Sequence, residues 1–432
     1  MFVFVLLGAL FKFSVKTPSL PPLFQLPPRM KPRRPVYNHL TITSILHVVT
    51  ILKDIFATTI SIETLLIAHK RALKGKRNNY YATGFNYSLV SHLIELRTEL
   101  QSGTYRPSIY RKKIVTDPKV RLIEAPAYRD RVVHHALHHF LNLFYEKHFI
   151  ADSYACRPGR GIHRAAARIQ HFLRIDGQNL YVCQIDISKY YASINHERLL
   201  EILQEKIDDQ PLIDLLKIII SSTDSGNEHD SLFAPDSYYF TKGRRGIPIG
   251  NLTSQLFANI YLHQADMYAK QTLKIRHYIR YMDDILFFHH DKAQLHVWQQ
   301  AMTEFLYQNL YLTVNPRKIR LYPTKQGVSF VGYVIYPHFL RLRGSSVRRF
   351  KKRYRKQLHG VMTERIKPAV MRESFASWKA HANHASSQKL VANLESWQTD
   401  YMFVRAIIRY HRKHNRYVKS SPVQLSLFDD FT

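Results

Sequence analysis

Thiols are nearly absent from this 432-residue chain, which has only Cys156 and Cys183. Two cysteines so far apart build neither a disulfide framework nor a repeat of zinc-binding thiols, and they fit a reducing cytosol. Acidic side chains are also scarce, 32 against 63 Lys and Arg, giving a formal net charge of +31 and a pI near 10.0. A chain this cationic repels itself until a polyanion neutralises it. Nucleic acid is therefore the first partner to consider and an anionic membrane surface the second. A run of about 20 apolar residues, the length that spans a bilayer, is missing too. The apolar run Met1–Phe11 has no basic residue before it and no small-residue cleavage site after it, so it reads as neither a span nor a secretion signal. No internal repeat is visible, which excludes a solenoid.

What is present is globular. Hydrophobic residues make up 45% of the chain, with 27 Tyr and 24 Phe, so the chain folds, into two to four domains at about 150 residues each. Residues 1–36 are Pro-rich and read as a disordered leader or a mis-assigned start, with Met30 as the alternative. Residues 41–76 carry helical periodicity, as do Ser88–Leu100, Arg131–His148, Glu197–Gln204, Pro211–Ser221 and Leu252–Thr272. Short extended segments fall at Ile109–Val115, Arg121–Ala125 and Leu180–Ile187, and 223–246 read as loop. From Arg341 to Lys352 the chain is intensely basic, and 353–410 read as helical around Trp378 and Trp397. Strands mixed with helices in this order predict an α+β fold.

Tyr281-Met282-Asp283-Asp284 lies between two apolar runs, the pattern of a hairpin with acidic residues at its tip. Tight hairpin tips favour Asn-Gly or Asp-Gly, so a glycine-free Asp-Asp suggests strain kept for chemistry. A third carboxylate, Asp186, ends the apolar strand segment Leu180–Ile187. Carboxylates in such settings need a partner, and a divalent cation is the natural one. The plain alternative is a solvated acidic turn plus an unrelated strand-end Asp; finding both motifs in one chain favours a metal site.

These blocks resemble the palm of a reverse transcriptase, and further blocks occur in that family's order from about residue 60 to 400. The resemblance implies a right-hand polymerase: N-terminal helices and fingers over 37–179, an antiparallel palm sheet with helices over 180–340, a helical basic thumb over 341–410 and a flexible tail over 411–432. Asp186, Asp283 and Asp284, with the backbone carbonyl of Ile187, would hold two Mg²⁺, for which Mn²⁺ can stand in. Asp117–Ile123 resembles the fingers block, so Lys119 and Arg121 would bind the triphosphate of a deoxynucleotide. Tyr191 would be the gate against a 2′-hydroxyl. Gly246–Gln255 resembles the loop and helix against the nascent base pair, which gives Ile249, Gly250 and Gln255 substrate-binding roles. Lys318 resembles the lysine that protonates pyrophosphate, and Phe330–Tyr333 the primer grip. The implied partners are an RNA template and the RNA–DNA duplex, with no membrane.

Ile249-Gly-Asn-Leu-Thr-Ser-Gln255 resembles the diversity-generating retroelement branch of bacterial reverse transcriptases, as do Tyr128–Leu137, Asp152–Gly161 and Ser374–Asn383. This branch works in the bacterial cytoplasm, misincorporates opposite template adenines and uses a small basic accessory protein. An antiphage-defence or other bacterial retroelement enzyme is the alternative. An intron enzyme is less expected, because no maturase or endonuclease segment is apparent. From another class, the competitor is a non-catalytic RNA-binding protein on a polymerase scaffold, against which the intact acidic trio argues. His134, His135, His138 and His139 mimic a ligand cluster, but packing, hydrogen bonding or RNA phosphate contact fits better than zinc. Cys156 reads as a buried small residue. In the tail, Gln424-Leu425-Ser426-Leu427-Phe428 resembles the peptide with which bacterial polymerases bind the replication sliding clamp, unless it packs on the thumb.

Overall fold

The computed structural model describes residues 51–116, 120–177, 179–223 and 244–414. The leader, Lys119 and the tail peptide at Gln424, Leu425, Leu427 and Phe428 lie outside the described residues.

The N-terminal part is helical. Strand β1 (Leu52–Lys53) precedes α1 (Phe56–Thr59), α2 (Ile62–Leu73), α3 (Tyr80–Tyr87) and α4 (Leu89–Gln101). The helical stretch expected over 41–76 is therefore broken within its described part. Ser61 adopts an extended conformation and its hydroxyl accepts the Thr64 N–H, so a fresh helix starts at Ile62. The hairpin of β2 (Arg111–Val115) and β3 (Arg121–Ala125) follows, and then α5 (Tyr128–His148). Asp130 in the first turn of α5 is buried, accepting from the Tyr105 hydroxyl at 2.9 Å and the Ser108 N–H at 3.0 Å.

Helix α6 (Ile162–Ile175) leads to β4 (Tyr181–Asp186), α7 (Tyr190–Ser193), α8 (His196–Gln204), β5 (Ile207–Asp208), α9 (Gln210–Ile220) and α10 (Leu252–Met267). Helix α10 runs on into a π-turn at Tyr268–Thr272, so the helix expected over 252–272 is present with its last turn widened. Strands β6 (His277–Tyr281) and β7 (Asp284–His289), helix α11 (Lys292–Leu310) and β8 (Arg320–Pro323) complete the central unit. Its sheet is antiparallel in the order β6–β7–β4–β8. One face is covered by α6, whose Ala165, Ile169 and Phe172 pack on Val182, Ile279, Leu286 and Phe288. Helix α11 packs against β4 and β7, with Trp298 edge-on to Phe287. Both faces are thus covered, which is why Cys183, Ile185 and Phe287 are buried.

A second antiparallel sheet, β9 (Val328–Phe330), β10 (Tyr333–Ile335) and β11 (Leu340–Leu342), leads into α12 (Gly344–Met362), α13 (Pro368–Ala382) and α14 (Gln388–His414). The last three helices have their own core of Phe350, Tyr354, Leu358, Met371, Phe375 and Leu394, and the Phe350 and Trp378 rings stack at 4.2 Å. The mixed helix-and-sheet architecture is the α+β class expected. Among the described residues, no helix is long and apolar enough to cross a membrane.

Candidate functional site

The three carboxylates meet at one end of the central sheet. Antiparallel register pairs Asp186, the last residue of β4, with Asp284, the first of β7. Tyr281 pairs with Asp284 across the β6–β7 hairpin, leaving Met282 and Asp283 as its two-residue tip. The left-handed backbone is carried by Met282, at φ 56°, and not by either aspartate. The strain expected from a glycine-free tip is present but displaced by one residue, because a two-residue turn needs positive φ at its first central position.

All three carboxylates are half-buried. Burial lifts Asp283 above the ordinary carboxylate range, with a contribution from the Asp186 charge. Burial, then the charges of Asp283 and Asp186, pushes Asp284 up to about 6. Mutual repulsion among buried carboxylates marks a place where a cation would be favourable. Lys318 supplies one now, as its ammonium is ion-paired with Asp186 Oδ2. Lys318 closes a short 3₁₀ turn, Pro316–Lys318, begun by Asn315, whose side chain accepts the Arg317 N–H. Asn315 also donates its own N–H to the Asp186 carbonyl at 2.9 Å, so lysine and aspartate are held together through the backbone. Ile187 bridges Val314 through flanking atoms, including Ser188 N–H to Thr313 O at 2.9 Å, so its own carbonyl takes no part in the bridge. Among the described residues, no group of three or more His, Cys, Asp or Glu side chains is already gathered around a metal position. The hard oxygen donors and their shared excess of negative charge nonetheless fit a divalent cation.

Other expected residues surround this end of the sheet. Tyr191 directs its hydroxyl at the Met282 sulfur, 3.7 Å away. The neighbouring Tyr190 is buried and donates to the Ala258 carbonyl at 2.5 Å, which fixes the short helix that presents Tyr191. Arg121 on β3 lies close enough for its charge to act on both Asp283 and Tyr191. Gly250 has φ 143°, and a Cβ there would sit 2.5 Å from the Glu124 carbonyl oxygen. The Glu124 N–H donates to the Ile249 carbonyl at 2.9 Å, so the loop is stitched to β3, which carries Arg121. Ile249 is half-buried and Gln255 exposed. At the turn expected as a primer grip, Val331 and Gly332 both have positive φ, and the Gly332 carbonyl accepts the Arg343 N–H at 3.0 Å.

Cys156 corrects an expectation. It is exposed, not buried, at a turn where its backbone takes a left-handed φ of 53°. His134 is buried and hydrogen-bonded through Nδ1 to the Thr253 hydroxyl at 2.8 Å. Two residues were missed. Arg343, at the start of α12, acts electrostatically on Asp284. Arg280 lies buried two residues before the hairpin tip, bonded to Asp266 and to the Met282 carbonyl at 3.2 Å. An arginine inside an apolar strand was a readable signal, since such a charge demands a buried partner.

Residues 110–335, just over half of the chain, match the family described as reverse transcriptase (RNA-dependent DNA polymerase). The chain is 26% identical to Protein YkfC of Escherichia coli K12 over 274 residues, 55% of this chain and 69% of that one. It is 22% identical to the putative COX1/OXI3 intron 2 protein of Saccharomyces cerevisiae, covering 63% of this chain and 38% of that one. To the group II intron-encoded protein LtrA of Lactococcus lactis it is 27% identical, covering 44% of this chain and 30% of that one. The chain thus spans only about a third of the length of these two intron proteins. Among solved structures it is similar to apo telomerase from Candida tropicalis, with a TM-score of 0.40, 12% identity and coverage of 69% of this chain and 62% of that one.

Proposed function

This chain belongs to the reverse transcriptase (RNA-dependent DNA polymerase) family, and from that premise we propose that it copies an RNA template into DNA at the carboxylate cluster. The observation that carries the reading is the register that sets Asp186 opposite Asp284, with Asp283 at the adjoining tip. In this reading the four-stranded sheet is the palm, the N-terminal helices and the β2–β3 hairpin are the fingers, and α12–α14 are the thumb.

Each residue then has a task. Arg121, with Lys119, binds the triphosphate oxygens of the incoming deoxynucleotide. Tyr191, tethered to the Met282 sulfur, stands where a 2′-hydroxyl would collide with its ring. Asp186, Asp283 and Asp284, with the Ile187 carbonyl, would hold Mg²⁺ or Mn²⁺. Two such cations, when bound, activate the primer 3′-hydroxyl and stabilise the leaving pyrophosphate. Lys318, whose ammonium is ion-paired with Asp186, would protonate the departing pyrophosphate. Purified protein with Asp283→Ala should show no primer extension on an RNA template while its RNA affinity stays nearly unchanged. Extension at the wild-type rate would refute the assignment.

At a finer level, we propose an error-prone enzyme of a diversity-generating retroelement, served by a small basic accessory protein. Support comes from Ile249, an aliphatic side chain beside the nascent pair that offers no hydrogen bond for checking it. A second reading, an intron-encoded enzyme, is favoured by the names of the relatives. Genomic context separates the two: an imperfect repeat pair differing at adenines supports the first, and flanking intron RNA the second. Recruitment of the sliding clamp by the tail remains part of the proposal, tested by pull-down with Phe428→Ala.

A further inference from the structure

Helix α3 exposes three tyrosines, Tyr80, Tyr81 and Tyr87. Tyr80 is 84% exposed and Tyr87 92%. They are seven residues apart on one helix, hence on one face and about 10.5 Å apart along the axis. Gly84 lies between them on that face, with nothing within 4 Å of where its Cβ would be. The resulting gap spans about three base-stacking intervals of 3.4 Å. Tyr81, on the adjoining face, lies under the Arg111 guanidinium, 4.1 Å from its ring centroid. Behind it opens a half-enclosed cavity of about 410 Å³, floored by the rings of Phe85 and Tyr128 and edged by Glu95 and Arg129.

The charge around this shelf identifies what it would take. Lys70, Arg71, Lys74, Lys76 and Arg77 precede it, and no acidic residue occurs from 70 to 81. Interleaved rings and cations suit single-stranded nucleic acid, whose phosphates follow the cations while its bases stack on the rings. An apolar protein partner would leave these cations unneutralised, and an acidic one would leave the rings without bases to stack on. The shelf is also linked to the active-site loop. Lys76 lines a cavity of about 340 Å³ together with Arg131, His135, Gly250 and Gln255.

We propose that α3 and β2 form a stacking shelf for single-stranded RNA, holding the unpaired template ahead of the active site on Tyr80, Tyr81 and Tyr87. The inference rests on the RNA-copying reading. Binding is sequence-tolerant, because every base has a π-face, and it adds affinity in proportion to the unpaired template available.

The test is fluorescence anisotropy on the full chain, without nucleotide, using primer–template duplexes with 5′ template overhangs of about 2 or 12 nucleotides. Wild-type protein should bind the long overhang roughly tenfold more tightly, and the Tyr80→Ala/Tyr87→Ala double variant should lose that gain while binding the short overhang unchanged. Tyr80→Phe/Tyr87→Phe should keep it, because stacking needs the ring and not the hydroxyl. Gly84→Leu, which suits a helix and fills the gap, should lose it. Affinity independent of overhang length, or a gain that survives both the alanine pair and Gly84→Leu, overturns the shelf. So does a double variant that changes the oligomeric mass in light scattering but not RNA affinity, which would assign the face to self-association. Absence of nucleotide incorporation on any substrate would instead count against the polymerase reading, and anisotropy does not depend on incorporation.

Discussion

Arg280 and Asp266 form a two-pronged ion pair with neither side chain exposed: Nε to Oδ1 and Nη2 to Oδ2 are both 2.7 Å. Tyr278 donates to the same Oδ1 at 2.7 Å, and the remaining Arg280 nitrogen reaches the Asn259 side chain at 3.1 Å and the Met282 carbonyl at 3.2 Å. One guanidinium thus joins α10 to the hairpin that carries Asp283. Removing it strands a buried carboxylate. Arg280→Met should destabilise the protein by about 3–5 kcal/mol in urea denaturation, and adding Asp266→Leu should recover most of that loss. If the double variant is as unstable as the single one, the ion pair is not what Arg280 contributes.

Gly250 can be replaced only at the expense of the loop. Its φ of 143° and the Glu124 oxygen 2.5 Å from a prospective Cβ leave no room for a methyl group. Gly250→Ala should cost roughly 1–3 kcal/mol and reduce primer extension more than it reduces duplex binding, because the displaced loop abuts the strand of Arg121. Unchanged extension kinetics would show that the loop accommodates a side chain.

The buried histidines set an acid limit. Burial holds His134 at about 3, and His135, His138 and His263 at about 4, against an ordinary 6.5. Below pH 6.5 the unfolded chain takes up protons on these rings and the native chain does not. Stability is therefore full above 6.5 and falls as pH drops toward 4, by up to about 1.4 kcal/mol per pH unit for each ring. Melting temperature measured from pH 7.5 to 5 should decline, and His134→Gln should flatten the slope. A pH-independent melting temperature would mean that the rings take up protons as readily in the native state as in the unfolded chain.

Ile249→Gln tests the finer reading. If Ile249 lies beside the nascent pair as proposed, a hydrogen-bonding side chain there should lower misincorporation opposite template adenine in a purified extension assay. An unchanged error spectrum would remove Ile249 as a cause of infidelity.

The carboxylates were legible in the sequence because each breaks an apolar strand pattern, and the two short apolar runs on either side of Asp283-Asp284 predict a hairpin. Arg280 breaks the same pattern, yet its partner was not readable. Helix α10 is buried on nearly every side, so Asp266 sits on no polar face that would have marked it. The exposure of Cys156 was hidden for another reason. Cysteine is more often buried than not, and the turn that Cys156 occupies, with φ 53°, has no mark in the sequence. Position 282 likewise carries the hairpin's positive φ because turn geometry acts on a place in the loop, whatever residue occupies it.

The separate core of α12–α14 has a consequence for cooperativity. Phe350, Tyr354, Phe375 and Leu394 cluster with one another, apart from the cluster beneath the central sheet. Such a chain is expected to denature in two stages, the helical arm melting while the carboxylate end of the sheet stays folded, and a single coincident transition for all three tryptophans would overturn this. The three tryptophans report on this separately: Trp298 packs on Phe287, whereas Trp378 and Trp397 pack in the arm. In the proposed reading of the arm as a thumb, stepwise melting would let it loosen its hold on a duplex between rounds of synthesis without dismantling the carboxylate site.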